Sequence, residues 1–162
     1  MTRVCMVGAP DTNLRYELVS RETAREALNT YDLTEPFENA LALETISLGA
    51  AVSLLNDLDW YLVRFVEQAW VLEPSVDEAE WLSRPLAAAV RNDHLAPEAS
   101  GRHLAIYGVI RSGQPAAESA PELTEPMYVA RTGRELPEYD LAAVDDTVLV
   151  RVTAQEFGGE RS

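Results

Sequence analysis

The stretch "LLNDLDWYLVRFVEQAWVLEPS", residues 54–75, is the longest apolar passage in the sequence, and it decides where helix gives way to strand. On a helical wheel Ala51, Leu55, Leu58, Leu62, Phe65 and Ala69 share one stripe, so a single long helix fits. Such a helix leaves Trp60 pointing away from the core, beside Asn56 and Glu67. The run "WYLVRFV" is dense in aromatic and β-branched residues, which suit a pleated surface. A helix ending near Asp57, followed by a strand over 60–66, places every side chain without stranding Trp60, and it is the reading adopted. "AWVLEP" is then a further short strand. This reading expects Trp60, Leu62 and Arg64 on one side of the sheet and Tyr61, Val63 and Phe65 on the other. It expects Trp60 to be buried and Arg64 to meet a carboxylate, because a buried guanidinium must be paired.

Outward from this stretch, "TRVCMV" (2–7) is an apolar run ended by Gly8 and Pro10 and reads as a buried strand. Asp11 or Asn13 can cap a long helix through Tyr31, with Arg21 and Arg25 interrupting its apolar face. The alternative makes "LRYELV" a strand and begins a shorter helix after Ser20. "ALALETISL" (40–48) reads as a strand, and Gly49 opens a short helix. Ser75 with Glu78 has the form of a capping box, which predicts a helix across "SVDEAEWLSRPLAAAVRND", kinked or divided near Ser83 by Pro85. "HLAIYGVI" (103–110), "MYVAR" (127–131) and "TVLVRVT" (147–153) read as strands. Residues 111–126, rich in Pro, Ala, Ser and Glu, read as a mobile surface loop, and 158–162 as a disordered tail. The pattern predicts a mixed α/β (α+β) fold in one domain over 1–157. Its single mixed sheet has about six strands under about three helices, with an antiparallel C-terminal part.

Composition sets the chemistry available. The chain of 162 residues has 27 acidic side chains against 13 basic ones, all of them Arg, for a net charge of −14. Such a charge repels itself in dilute buffer, and concentrated salt removes the penalty by shrinking the Debye length to about 3 Å at 1 M. The balance points to a salt-rich cytoplasm and away from nucleic acid, whose phosphates need a basic stripe. No run is apolar for long enough to suggest a membrane span, and the N-terminus lacks a signal-peptide core. Cys5 is the single cysteine and reads as a small buried hydrophobe. Without Lys there is no Walker-type phosphate loop, Schiff base or pyridoxal anchor, and no G-x-S-x-G, H-E-x-x-H or G-x-G-x-x-G occurs. His94 and His103 read as loop and strand-end imidazoles. No cofactor, metal centre or catalytic residue is assigned.

Arg is scarce enough to be informative. Arg21 and Arg25 follow the strand–Gly8 turn, a common setting for anion binding, and both can grip a carboxylate or phosphate in bidentate fashion. Ion pairing with Glu17, Glu22 and Glu26 is the plainer role for them. Gly8, Arg21, Arg25 and Arg64 are therefore the candidate ligand-binding residues. Asp57 and Asp59 form a D-x-D that could hold a divalent ion, although Asp is also favoured at such a helix end.

The wording of "RVCMVG", "LRYELVSRETAR", "ETISLGAAVSLLNDLDWYLVRFV", "EWLSR" and "EPMYVARTG" resembles a haloarchaeal family of small acidic proteins of unknown function. The resemblance implies a salt-rich cytoplasm and carries over no functional residue. Three functions compete. The first is a non-enzymatic protein-interaction or regulatory module, engaging a protein partner or its own copy. The second is a domain binding an anionic metabolite or nucleotide through the Gly8 turn with Arg21 and Arg25. The third is a metal-assisted hydrolase using Asp57 and Asp59. The missing catalytic signatures and the several Trp residues favour the first.

Overall fold

The change from helix to strand in the decisive stretch falls at Val66, later than the sequence reading placed it. The computed structural model describes residues 1–110, 121–131 and 146–159, with backbone only at 158–159. It begins with β1 (Thr2–Gly8), α1 (Leu14–Val19), α2 (Glu22–Leu28), β2 (Ala40–Thr45), α3 (Leu48–Asp57), α4 (Asp59–Phe65) and β3 (Val66–Leu72). There follow β4 (Trp81–Ser83), α5 (Arg84–Arg91), a 3-10 turn (Pro97–Ala99), β5 (His103–Ile110), β6 (Glu122–Leu123), β7 (Met127–Ala130), β8 (Asp146–Val152) and α6 (Ala154–Gly159).

The strand expected over 60–66 is thus helix α4. The apolar stripe of Ala51, Leu55, Leu58 and Leu62 runs through both α3 and α4, all of it buried, and only Leu58 (φ −93°, ψ 4°) breaks the helical path. Burial of that stripe outweighs the β-propensity of "WYLVRFV", which is a weak and context-dependent preference. The unbroken-helix reading was nearer to the result, though it ran too far. Val66 takes extended angles (φ −116°, ψ 126°), and β3 starts there.

All strands belong to one curled mixed sheet in the order β2-β1-β3-β4-β8-β5-β6, with β7 pairing beside β6 on the outer edge of β5. Among the described strands only β4 and β8 run parallel, and the C-terminal strands β5, β7 and β8 are antiparallel as expected. Alternation along each strand splits the interior in two. Val4, Met6, Leu41, Leu43, Ala69, Val71 and Leu82 face the helices. Cys5, Ala40, Ala42, Trp70, Ala105, Tyr107, Val150 and Val152 face the other way, where Phe157 of α6 covers them. Small residues on β1, β2 and β5 leave room there for the Trp70 ring, which lies 4.8 Å from Tyr107 and 6.3 Å from Trp81. Cys5 is fully buried, and burial pushes its thiol up to about 12, so it is no nucleophile at neutral pH. The curl brings the far edges together: Glu38 N–H donates to the Pro121 carbonyl at 2.8 Å.

Helices are more numerous and shorter than expected. The single helix through Tyr31 is divided, since Asn13 caps α1 at Tyr16 while Ser20 and extended Arg21 separate α1 from α2. The capping box at Ser75 starts no helix. Asp77 instead takes the N–H groups of Ala79 and Glu80 at 2.9 and 2.7 Å, folding 73–80 into a tight loop ahead of β4. The real cap is Ser83, which receives the Leu86 N–H, and Pro85 falls in the first turn of α5, where no donor is lost. Within the expected loop, 122–123 form β6, while 111–120 and the tail residues 160–162 lie outside the described residues.

The 73–80 loop is tied down by charge. Glu80 bridges Arg131 and Arg151, each at 2.8 Å, and Arg151 also donates to Ser100 Oγ at 2.9 Å and reaches Asp77 at 3.4 Å. Burial alone would raise the Asp77 carboxyl, but hydrogen bonds from Ala79 and Glu80 and the charges of Arg151 and Arg131 hold it below the ordinary range. Glu73 is likewise lowered despite burial, by the Thr2 hydroxyl and by Ser75. A carboxyl whose folded pKa is depressed contributes stability that is complete above the unfolded value of about 4 and fades as pH falls through the folded one. Asp77→Asn should therefore flatten the loss of stability on acidification. Urea unfolding at a series of pH values reads this directly, and an unchanged acid slope would refute it.

Candidate functional site

Helix α1 packs against α4 and β2, α4 packs against β3, and the outer faces of the two helices carry a conspicuous exposed surface. Among the described residues the large exposed hydrophobics are Met1, Tyr16, Val19, Ile46, Trp60, Val63 and Ile110. Four of these lie on α1 and α4. In each helix the buried stripe (Leu14 and Leu18, or Leu62) leaves an opposite face, and spacing of three residues sets Tyr16 with Val19 and Trp60 with Val63 on it. Trp60 is 49% and Val63 73% exposed. A shallow apolar dimple of ≈ 320 Å³, lined by Asn13, Arg15, Tyr16, Val19 and Ser20, lies on α1.

Arginines knit this face together. Arg64, expected to be buried beside a carboxylate, is exposed because α4 turns it outward. Its guanidinium lies 3.8 Å from the Trp60 ring centroid and donates to the Trp60 carbonyl at 2.8 Å, in the last helical turn where a cation suits the dipole. Arg21 pairs with Glu17 at 3.0 Å and sits 5.1 Å from the Phe65 centroid and 5.7 Å from that of Trp60. Arg25 reaches back to the Val19 carbonyl, the last of α1, at 3.5 Å. Trp60 is held edge-on by Tyr61 at 5.0 Å and Phe65 at 6.3 Å.

Three of the four candidate residues thus converge on one face, and Gly8 stands apart. Its N–H donates to the Asn39 carbonyl at 2.8 Å, and a Cβ there would lie 2.5 Å from Asn39 Nδ2. Asn39, in the left-handed region at φ 57°, also accepts the Leu14 N–H and donates to the Ala9 carbonyl. The next amide, Ala9, donates to the Phe65 carbonyl. The Gly8 turn therefore spends its donors on holding α1 and α4 to the sheet. The cleft beside it, ≈ 660 Å³, is lined by Glu38, Glu67, Glu122 and Glu125 and by none of the three arginines. The Glu38 carboxyl is raised by a hydrogen bond and repulsion from Glu122. Asp59, 57% exposed at its side chain, pairs with Arg84 at 2.9 Å, and no group of three or more metal-ligating side chains forms among the described residues.

Val63 was missed because 60–66 was read as a strand, and Tyr16 and Val19 because they fall outside the apolar stripe of the helix and no role was sought for them. Their spacing opposite Leu14/Leu18 and Leu58/Leu62 was the available signal. Trp60→Ala should cost no more than about 1 kcal/mol, the value of an exposed cation–π contact. Equilibrium unfolding checks this, and a cost of several kcal/mol would mean that the ring supports the core.

These elements define a small α+β protein built on a single mixed sheet, with an aromatic and arginine-bearing face on two of its covering helices. The chain belongs to the family of unknown function DUF5804, whose family model matches residues 2–109, from β1 almost to the end of β5 and including the whole α1–α4 face. No curated protein and no solved structure matches the chain. No helix among the described residues is long and apolar enough to cross a membrane.

Proposed function

We propose that this protein is a non-enzymatic protein-interaction module of a salt-rich cytoplasm, docking through the α1–α4 face. The observation that carries the reading is the half-exposed Trp60 between Arg21 and Arg64, with Val63 exposed on the same helix and Tyr16 and Val19 exposed on the neighbouring α1. Trp, Tyr and Arg dominate the energetics of protein interfaces, whereas exposed cation–π and ion-pair contacts add little to folding. A photo-crosslinking residue in place of Val63 should capture a protein in the native host, while the same residue in place of exposed Glu98 should not. Equal capture at both positions, or none at Val63, would remove the reading.

The adaptation to salt rests on the net charge of −14 without Lys. The melting temperature should rise steeply between dilute buffer and molar potassium chloride, and a flat response would count against it. Anionic-ligand binding at the Gly8 turn has less support, since its amide is committed to Asn39 and the adjoining cleft is acidic.

A further inference from the structure

The docking reading leaves open what the α1–α4 face receives, and the charges around it narrow the choice. Helices α1, α2 and α4 with Arg21 hold four of the 13 Arg and four of the 27 acidic residues, so the whole net charge of −14 is carried by the rest of the chain. On a molecule this acidic, a neutral surface is the least hostile place for a negatively charged partner. Two of its arginines also lack a carboxylate. Among the described residues no carboxylate lies within the 4.0 Å of an ion pair from Arg25 or Arg64, whose hydrogen bonds there go to the Val19 and Trp60 carbonyls. A guanidinium has five donors in a planar fork, so each retains an edge able to grip a carboxylate in bidentate fashion.

We infer that the occupant of this face is a segment of a partner protein that presents an apolar side chain flanked by carboxylates. The apolar group is received between the Tyr16–Val19 dimple and the Trp60–Val63 ridge, and the carboxylates meet Arg25 and Arg64. A second copy of the chain fits less well. Of the acidic residues on these helices, Glu17 and Asp59 are already paired with Arg21 and Arg84, so a two-fold contact would have to bring Glu22 or Glu26 of α2 to the arginines of the other copy. Single-stranded nucleic acid could stack on Trp60, but its phosphates would approach a chain of charge −14 that offers no basic groove.

The test uses the full chain and three fluorescein-labelled amphipathic helical peptides of equal length, read by anisotropy in half-molar potassium chloride. One has a Leu face flanked by Glu, one the same face flanked by Arg, and one a Ser face flanked by Glu. The Leu–Glu peptide should bind, the Ser–Glu peptide should not, and Val63→Arg should abolish binding. Replacing both Arg25 and Arg64 with Gln should weaken binding about tenfold or more, the usual loss for charge-assisted hydrogen bonds. All these positions are exposed, so the variants keep the fold. Equal binding of the Leu–Glu peptide to the double Gln variant, or Val63-dependent binding of the Leu–Arg peptide instead, would overturn the inference. So would a concentration-dependent dimer lost in Val63→Arg, or oligouridylate binding lost in Trp60→Ala. Capture by the crosslinker at Val63 without binding of the Leu–Glu peptide removes only the partner's chemistry. Failure of both removes the docking reading as well.

Discussion

Trp70→Ala is expected to destabilise the protein by about 3–5 kcal/mol, the range for deleting a large buried aromatic. Trp70 is fully buried at the centre of β3, against Tyr107 and Trp81, and it joins the β1–β3 part of the sheet to the β5–β8 part across the curl. Nothing small can replace it, because the opposing positions are already Cys5, Ala40, Ala42 and Ala105. A domain of this size has roughly 5–15 kcal/mol in all, so the loss is a large share of the total. Its Nε1–H is buried without a hydrogen-bond partner among the described residues. Trp70→Phe should accordingly cost less than the lost ring volume suggests, since it also removes an unsatisfied donor worth about 1–3 kcal/mol. Urea unfolding of both variants decides the matter. A cost below about 1 kcal/mol for the Ala variant would show that this face of the sheet is not a packed core.

Glu80→Ala should cost a similar amount, about 3–5 kcal/mol, because it leaves two guanidinium groups side by side with their shared carboxylate gone. The Glu80, Arg131 and Arg151 side chains are only 14%, 13% and 10% exposed, so water cannot take the place of the lost partner. Asp77 retains Arg151, but only at 3.4 Å, and the buried Arg131 Nε already has no partner among the described residues. Added salt should restore little of this loss, in contrast to the exposed Arg3–Glu44 and Arg15–Glu35 pairs. Thermal unfolding at low and molar salt tests both parts. A cost under about 1 kcal/mol would mean that the cluster is hydrated and of little structural weight.

Strands were legible wherever apolar residues ran between turn signals, as in β1, β5 and β8, and the mixed sheet with its antiparallel C-terminal part followed from them. The errors arose where two local signals competed. In "DWYLVRF" side-chain type favoured a strand, and the continuing Leu58–Leu62 stripe favoured a helix. The stripe prevailed because it faces the core. At Ser75 the capping-box spacing was present, but Asp77 closed its own turn first and left no helix to cap. β4 was hidden inside the expected helix, since a three-residue strand has too few positions to show alternation. For the candidate site, the scarcity of basic residues marked Arg21, Arg25 and Arg64, and the helical alternative marked Trp60 as outward-facing. The meeting of these residues depends on α1 lying against α4, a tertiary contact that no local pattern encodes.

The position of β8 has a consequence for how the chain is made. β4 and β5 do not touch as strands; β8 lies between them, pairing Trp81 with Val150 on one side and Ala105 with the same Val150 on the other. A nascent chain that has emerged only as far as residue 110 holds β1, β2, β3, β4 and β5, yet the gap in its sheet stays open until β8 is synthesised. Until then two unpaired edges face one another, the kind of surface on which incomplete chains associate. Completion of the sheet therefore waits for β8, which acts as a keystone between two strands that precede it in the sequence. A chain truncated before Asp146 should accumulate as aggregate rather than as a smaller folded protein.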